Sequence, residues 1–232
     1  MTRWPRVFWA HRVPIALLFV GVSVPLAVVA SFGERVRAGS KLPFDLPILR
    51  YMREHGSPAI EDVMVAFTEV GRLVPMVLIT VVLAAVLAWR RRFGRATFVL
   101  VAGAGSVLIN VTVKAAYRRD RPTLWESILP ETTYSFPSGH AMASMTLACT
   151  LIVVAWPTRW HWPVIALGAL FTFLVGASRV YLGVHYPSDV LAGWLAALAW
   201  VAGLYLVLEH WPNRLWRGEM RETPHPSDDS AQ

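Results

Sequence analysis

Residues 73–89 read LVPMVLITVVLAAVLAW, and residues 90–95 follow as RRRFGR. The first stretch has no charged side chain over a length close to the roughly 20 apolar residues that cross a bilayer as a helix. Length favours a helix, because periodicity cannot separate helix from strand in a fully apolar run. An apolar helix followed directly by arginines is typical of an integral membrane protein whose basic flank faces the cytoplasm.

Similar apolar runs recur along the 232-residue chain, which is 55% hydrophobic and 16% charged. Soluble domains carry roughly 25% charged residues. We therefore predict an all-α, polytopic membrane protein with six transmembrane helices in a bundle, formed by residues 13–208. The six spans are expected near 13–32, 73–89, 96–113, 139–156, 162–178 and 188–208. The net charge of +7 comes from arginines that flank these runs, so it does not indicate nucleic-acid binding.

The distribution of arginines predicts the orientation of the bundle. Because successive spans cross the membrane in opposite directions, one side holds residues 1–12, the loops after 89 and 156, and the tail 209–232. This side holds most of the arginines outside the polar motifs. The positive-inside rule makes that side cytoplasmic, with both termini inside. We expect a retained first helix rather than a cleaved signal peptide, and a tail disordered from about 223. The expected location is the inner (plasma) membrane of a bacterial-type cell.

The first extracytoplasmic loop, residues 33–72, predicts two short amphipathic helices. One follows Asp45, and the other follows Ser57-Pro58, where Ser57 can cap the helix and Pro58 can occupy its first position. Two placements fit these helices. They can lie in the membrane interface near the mouth of a site, or they can form a soluble extracytoplasmic cap.

Three clusters of polar residues interrupt the apolar chain, and all three fall on the predicted outer side. They are Lys114 with Arg121-Pro122, the tetrapeptide Pro137-Ser138-Gly139-His140, and Ser178-Arg179 with His185 and Asp189. Ionisable residues at the ends of membrane helices are costly to place there, so they are functional candidates. Three cations, two imidazoles and one carboxylate suit a site that grips a phosphate and displaces it with a nucleophilic histidine.

The spacing within the first two clusters indicates how they would meet a phosphate. Lys114 and Arg121 lie seven residues apart, or two helical turns, so both can point the same way from the end of the third span before Pro122 stops the helix. Ser138 and Gly139 open the fourth span, where the free N–H groups of a helix start can cradle a phosphate. Ser138 can equally serve as an ordinary helix cap.

The third cluster carries the candidate nucleophile. His185 and Asp189 are four residues apart, which would place both on one face at the start of the sixth span. The carboxylate could then fix the tautomer of the ring and leave the other nitrogen free to attack.

A metal site is the chemical alternative, because His140, His185 and Asp189 could bind zinc. The cations Lys114, Arg121 and Arg179 would repel a dication, and they would stabilise a phosphoryl transition state.

The three motifs, in this order and spacing, resemble the signature of the type 2 phosphatidic acid phosphatase family, which also includes the vanadium haloperoxidases. The resemblance implies that His185 is the nucleophile that forms a phosphohistidine, that Asp189 orients it, and that His140 protonates the leaving oxygen. It implies no metal or other cofactor. The phosphate oxygens would be held by Lys114, Arg121, Ser138, the Gly139 amide and Arg179.

A phosphatase built as a membrane bundle indicates a lipid substrate whose tail stays in the bilayer. Candidates are undecaprenyl diphosphate, phosphatidylglycerol phosphate and phosphatidate, and family and sidedness favour the first. The expected partners are this lipid phosphate and the surrounding membrane lipids. The main alternative is a lipid or phosphate transporter or flippase, which would place ionisable residues near span midpoints. A haloperoxidase would be a soluble helical protein, and a catalytically inactive relative would bind lipid without hydrolysis.

Overall fold

The computed structural model describes residues 18–125 and 127–210, without the side chains of 209 and 210. All the regular elements in this part of the chain are helices. We number them α1 (Phe19–Arg37), α2 (Asp45–Glu54), α3 (Pro58–Val70), α4 (Leu73–Trp89), α5 (Phe93–Tyr117), α6 (Gly139–Ala155), α7 (His161–Tyr181) and α8 (Pro187–His210). The first turn of α1, Phe19–Ser23, is π-helical. The N-terminus predicted to be cytoplasmic (1–12), the start of the first predicted span and the tail predicted to be disordered lie outside the described residues.

Four described helices, α1, α5, α7 and α8, are long and apolar enough to cross a membrane. Helices α3 and α4 meet at a 52° bend, and together they count as a fifth candidate span. Helix α6 has 17 residues, which at 1.5 Å per residue gives about 25 Å against a hydrocarbon core of about 30 Å. The all-helical class is confirmed, whereas six spans, their orientation and an interfacial position for α2 and α3 stay predictions.

Both helices expected in the 33–72 loop are present. Helix α2 begins at Asp45, and α3 begins at Pro58 with the Ser57 side chain accepting from the Ile60 N–H at 3.4 Å. Helix α2 buries Leu49 completely, against Val180 and its neighbours at the junction of α7 and α8. This loop is therefore part of the packed protein, and its position next to the polar clusters follows from that packing.

Two expectations about helix ends are wrong. Helix α5 ends at Tyr117, where Arg118 turns into the left-handed conformation with φ of 46°, so Arg121 is not on the helix and Pro122 does not stop it. Helix α8 begins only at Pro187, so His185 lies in the connection before the helix and not on one helix face with Asp189. In both cases a loop, and not a helix, carries the motif side chain.

Helix α6 lies at the centre of the bundle, packed against α7 and α8, with Gly168 of α7 beside Ala148 and Gly193 of α8 beside Ala141. Small residues let membrane helices approach closely. Gly193 of α8 shows this most directly, because a Cβ there would lie 2.7 Å from the carbonyl oxygen of Ser138. The end of α5, the start of α6, the end of α7 and the start of α8 consequently meet at one end of the bundle.

Candidate active site

The structure gathers the three sequence clusters at this end of the bundle. Lys114 lies in the last turn of α5, Gly139 and His140 begin α6, Arg179 lies in the last turns of α7, and Asp189 lies in the first turn of α8. Arg121 and His185 reach the same place from loops, where Arg121 Nη1 lies 3.1 Å from His185 Nε2. His140 is near enough to interact electrostatically with Arg179, His185 and Lys114.

The imidazole of His185 is held on both sides and is 1% exposed. Its Nδ1 lies 3.3 Å from Ser135 Oγ and 3.5 Å from Asp189 Oδ2. Ser135 Oγ donates its proton to Asp189 Oδ2, so a lone pair of Ser135 Oγ can accept the proton of His185 Nδ1–H. Nε2 then carries the lone pair, which accepts from Arg121 Nη1 at 3.1 Å. Asp189 is thus connected to the imidazole mainly through the hydroxyl of Ser135, which the sequence motifs did not indicate.

Electrostatics keep this imidazole neutral. Burial lowers the pKa of His185 well below its ordinary 6.5, and the positive charges of Arg121, Arg179 and Lys114 lower it further. The protonated ring is disfavoured because it would be a fourth positive charge away from water. At neutral pH Nε2 is therefore unprotonated, as a nucleophile requires.

A buried ion cluster, unanticipated from the sequence, supports Asp189. Arg119 donates from Nη1 to Asp189 Oδ1 at 2.5 Å and from Nη2 to Asp45 Oδ2 at 2.9 Å, and both carboxylates are fully buried. Asp45 also accepts from the N–H of Ser188 at 2.9 Å and from its hydroxyl at 2.8 Å. Burial alone would lower the pKa of Arg119, but the carboxylates of Asp189 and Asp45 raise it. Helix α2 is thereby tied to the start of α8.

The segment of residues 131–135 runs across the cations. Thr133 accepts from Lys114 Nζ at 2.9 Å through its hydroxyl and from Arg121 Nε at 2.7 Å through its carbonyl. Arg179, 1% exposed, donates from Nη2 to Glu131 at 2.5 Å and from Nη1 to Thr68 at 2.9 Å. Lys114 and Arg121 therefore converge as expected, although through a shared threonine rather than along one helix.

At the start of α6, the side chain of Ser138 caps the helix. Ser138 is fully buried, its Oγ accepts from the Ala141 N–H at 3.5 Å, and its own N–H donates to the Asp189 carbonyl at 3.0 Å. It is a helix cap whose hydroxyl proton can still be donated to a ligand. Next to it, Nε2 of His140 is buried and has no hydrogen-bond partner among the described residues. A buried polar atom of this kind is costly unless a ligand satisfies it.

The site residues that could not be predicted from the sequence belong to none of its three polar motifs. Asp45, Glu131 and Ser135 lie in loops or at a loop-derived helix start, and only their approach in space connects them with the motifs. Arg119 was visible only as one of several basic residues near Arg121. In residues 18–125 and 127–210, no three His, Cys, Asp or Glu side chains are grouped so that they could hold a metal ion.

Comparison with known proteins gives a family match over half of the chain. The model of the PAP2 superfamily matches residues 95–212, which include every motif residue. Undecaprenyl-diphosphatase of Sulfolobus acidocaldarius is 45% identical over 78 residues, which are 34% of this chain and 35% of that protein. Phosphatidylglycerophosphatase B of Bacillus subtilis is 34% identical over 152 residues, covering 61% of this chain and 71% of that protein.

A solved structure resembles most of the chain. The crystal structure of a transmembrane PAP2 type phosphatidylglycerolphosphate phosphatase from Bacillus subtilis superposes with a TM-score of 0.65 at 26% sequence identity. The superposition covers 78% of this chain and 94% of the solved chain. The likeness therefore extends beyond the motifs to the arrangement of the helices.

Proposed function

The chain belongs to the PAP2 superfamily, and we propose that it is an integral membrane phosphatase that removes phosphate from a lipid through a phosphohistidine on His185. The observation that carries this proposal is the buried, neutral His185, whose Nε2 lies beside Arg121 in a cluster of three cations. Such a cluster stabilises the charge that spreads over phosphoryl oxygens in the transition state.

The proposed reaction has two displacements. Nε2 of His185 attacks phosphorus and forms the N–P bond while the P–O bond to the lipid breaks, and His140 gives its proton to the leaving oxygen. Water then attacks the phosphohistidine, His140 takes a proton from it, and inorganic phosphate leaves. This role requires His140 to be protonated when the phosphate is bound, and the negative charge of the phosphate acts in that direction. Ser135 and Asp189 hold the Nδ1 proton throughout.

The phosphoryl oxygens need donors on several sides. We assign this role to Lys114, Arg121 and Arg179, with the hydroxyl of Ser138 and the amide of Gly139 at the start of α6. The helix start adds partial positive charge and N–H groups without an internal acceptor. Arginine contributes planar donor pairs that match phosphate oxygens.

An apolar cavity of about 390 Å³ between α4, α5 and α6 supports a lipid substrate. It is lined by Met76 of α4, Gly103 of α5, and Ala143 and Leu147 of α6, among others. Ala143 and Leu147 follow His140 by one and two turns on the same face of α6. A tail in this cavity would place its phosphate end near the start of α6.

The substrate proposal is a polyprenyl diphosphate, undecaprenyl diphosphate first, with phosphatidylglycerol phosphate and phosphatidate as further candidates. The names of the Sulfolobus and Bacillus relatives support the first two. We further propose that the site faces the periplasm or cell exterior. The arginines at 90–92 and 95 and at 159 belong to the opposite end of the helices, which the positive-inside rule assigns to the cytoplasm.

Phosphate release from purified protein in EDTA tests the proposal. The panel contains the three candidate lipids and lysophosphatidate, with His185→Ala as the inactive variant and His161→Ala as a matched control. His161 lies at the opposite end of α7, where it is half-buried and its Nδ1 pairs with the Thr158 carbonyl. We expect release by wild type and His161→Ala, none by His185→Ala, and an acid-labile phosphoprotein only where His185 is present. Activity retained by His185→Ala would remove His185 from the nucleophile role, and loss in EDTA that zinc restores would favour a metal mechanism.

A transporter or flippase is the competing function. It would use ionisable residues along a path through the membrane, whereas the motif residues lie at one end of the bundle. Lipid movement across vesicles by folded protein that releases no phosphate from any lipid would favour transport.

A further inference from the structure

The carboxylate of Glu131 lies in the cationic cluster, and the proposed phosphatase mechanism does not use it. Its Oε1 accepts from Nη2 of Arg179 at 2.5 Å. It also lies close enough to Lys114 and Arg121 to interact with both electrostatically. One negative side chain thus faces all three cations assigned to the phosphate.

The pairing leaves the guanidinium of Arg179 incompletely bonded. Nε and Nη2 lie on the same edge of the group, and an oxyanion with two suitably spaced oxygens can bond to both. Glu131 accepts from Nη2, while Nε is buried without a hydrogen-bond partner among the residues that the structure describes. Nη1 is directed elsewhere, to Thr68 Oγ1 at 2.9 Å. A buried donor without an acceptor is costly, so this edge fits an anion that fills both positions.

Glu131 can leave this position without disturbing the helices. It belongs to the 131–135 segment, where the side chain of Glu131 is 28% exposed and Thr133 and Tyr134 are exposed. The segment contacts the cations from the outer side, and Thr133 accepts from both Lys114 and Arg121. Phosphate oxygens can replace each of these acceptors.

We propose that Glu131 is a displaceable ligand of Arg179, which a phosphate headgroup must replace before it can bind to Nε and Nη2 together. The inference rests on the proposed function, because it takes the incoming anion to be a phosphate. The exchange is favourable since phosphate carries more negative charge and satisfies both donors. A carboxylate that stayed beside it would repel it, so Glu131 and the exposed residues 132–134 move outward as the headgroup enters, while buried Ser135 keeps its place beside His185.

This arrangement has a measurable consequence for affinity. Every ligand that carries a phosphate must break the contact between Glu131 and Arg179. Glu131 should therefore weaken the binding of all such ligands by the same factor. A hydrogen bond to a charged group is strong enough for that factor to be roughly tenfold. The chemical step follows the exchange and is affected little.

Glu131→Gln tests the proposal, because it keeps the size of the side chain and removes its charge. The probe is inorganic phosphate, whose binding to the detergent-purified full chain is measured by calorimetry at constant ionic strength. We expect Kd for phosphate to fall roughly tenfold, with a similar fall in KM for the lipid substrate and little change in kcat. Asp120→Asn is the matched control, since Asp120 is an exposed carboxylate of the same loop, and its Kd is expected to stay within about twofold of wild type.

Unchanged or weaker phosphate binding by Glu131→Gln would overturn the proposal, because Glu131 would then only hold Arg179 in place. Equal tightening in Asp120→Asn would also overturn it, by showing a general effect of net charge. These results leave the phosphatase function intact. Failure of the wild type and of every variant to bind phosphate or to hydrolyse any lipid phosphate would instead overturn the proposed function itself.

Discussion

Replacing Arg119 by methionine is expected to cost both stability and activity. Arg119 bridges Asp45 and Asp189, with side chains 8% exposed for the arginine and 0% for each aspartate. Methionine keeps most of the apolar stem but leaves two fully buried carboxylates without their cation. Removing one partner of a buried ion pair destabilises a protein by about 3–5 kcal/mol, mostly because the remaining charge is uncompensated.

Thermal unfolding in detergent can measure this cost. For a chain of this size 1 kcal/mol corresponds to a shift in Tm of about 2–4 °C, so the Arg119→Met variant should melt roughly 6–20 °C below wild type. The matched control is Arg72→Met, which breaks the ion pair with Glu69, whose side chains are 55% and 43% exposed. Exposed pairs contribute about 0–1 kcal/mol, so this variant should melt close to wild type.

Steady-state kinetics separate a positioning role of Arg119 from simple destabilisation. At a temperature where Arg119→Met is fully folded, kcat should still be lowered, because Asp189 has lost one of the partners that fix its position beside His185. KM should change less, because Arg119 is not assigned to the phosphate. A Tm within about 2 °C of wild type, which is under 1 kcal/mol, together with normal kcat, would refute the reasoning that this cluster supports the site.

Three further outcomes follow from particular contacts. Ser135→Ala should lower kcat roughly 10- to 100-fold with little change in Tm, because His185 loses the hydroxyl that links it to Asp189. An unchanged kcat would show that the direct contact of 3.5 Å between His185 Nδ1 and Asp189 Oδ2 is sufficient. The pKa of buried His185 lies well below the value of 6.5 that it has in the unfolded chain, so between these two pKa values only the unfolded chain binds a proton at this residue. His185 should therefore lower the stability of the protein by about 1.4 kcal/mol for each pH unit below 6.5. In unfolding measured from pH 7 to 5, His185→Gln should show a slope that is shallower by this amount, and equal slopes in the two proteins would contradict a neutral His185. Gly193→Ala should lower the free energy of unfolding by about 1–3 kcal/mol, because the alanine Cβ would lie 2.7 Å from the Ser138 carbonyl oxygen. A Tm equal to that of wild type would show that α8 can move away from α6.

The sequence predicted the helical elements well where the signal is local. The apolar runs at 73–89 and 139–156 became helices with nearly the same bounds, because hydrophobic length and flanking charge depend only on neighbouring residues. Ser57-Pro58 was likewise correct as a helix start, since capping involves a side chain and a backbone N–H three residues apart. The helix ends near Arg121 and His185 were wrong, because the chain there follows the geometry of the site rather than its own helical preference.

The sequence by itself determined that this chain forms apolar helices and carries the motif residues of one phosphatase family, because both properties are written in residue type and spacing. Only the tertiary structure decided how those residues act together. Arg119 meets Asp45 across 74 positions, Ser135 links His185 to Asp189, and Glu131 lies on Arg179. These contacts join loops to helix ends that are distant in the chain. They exist because close packing of α6 against α7 and α8 brings four helix ends together, which local sequence preferences cannot specify.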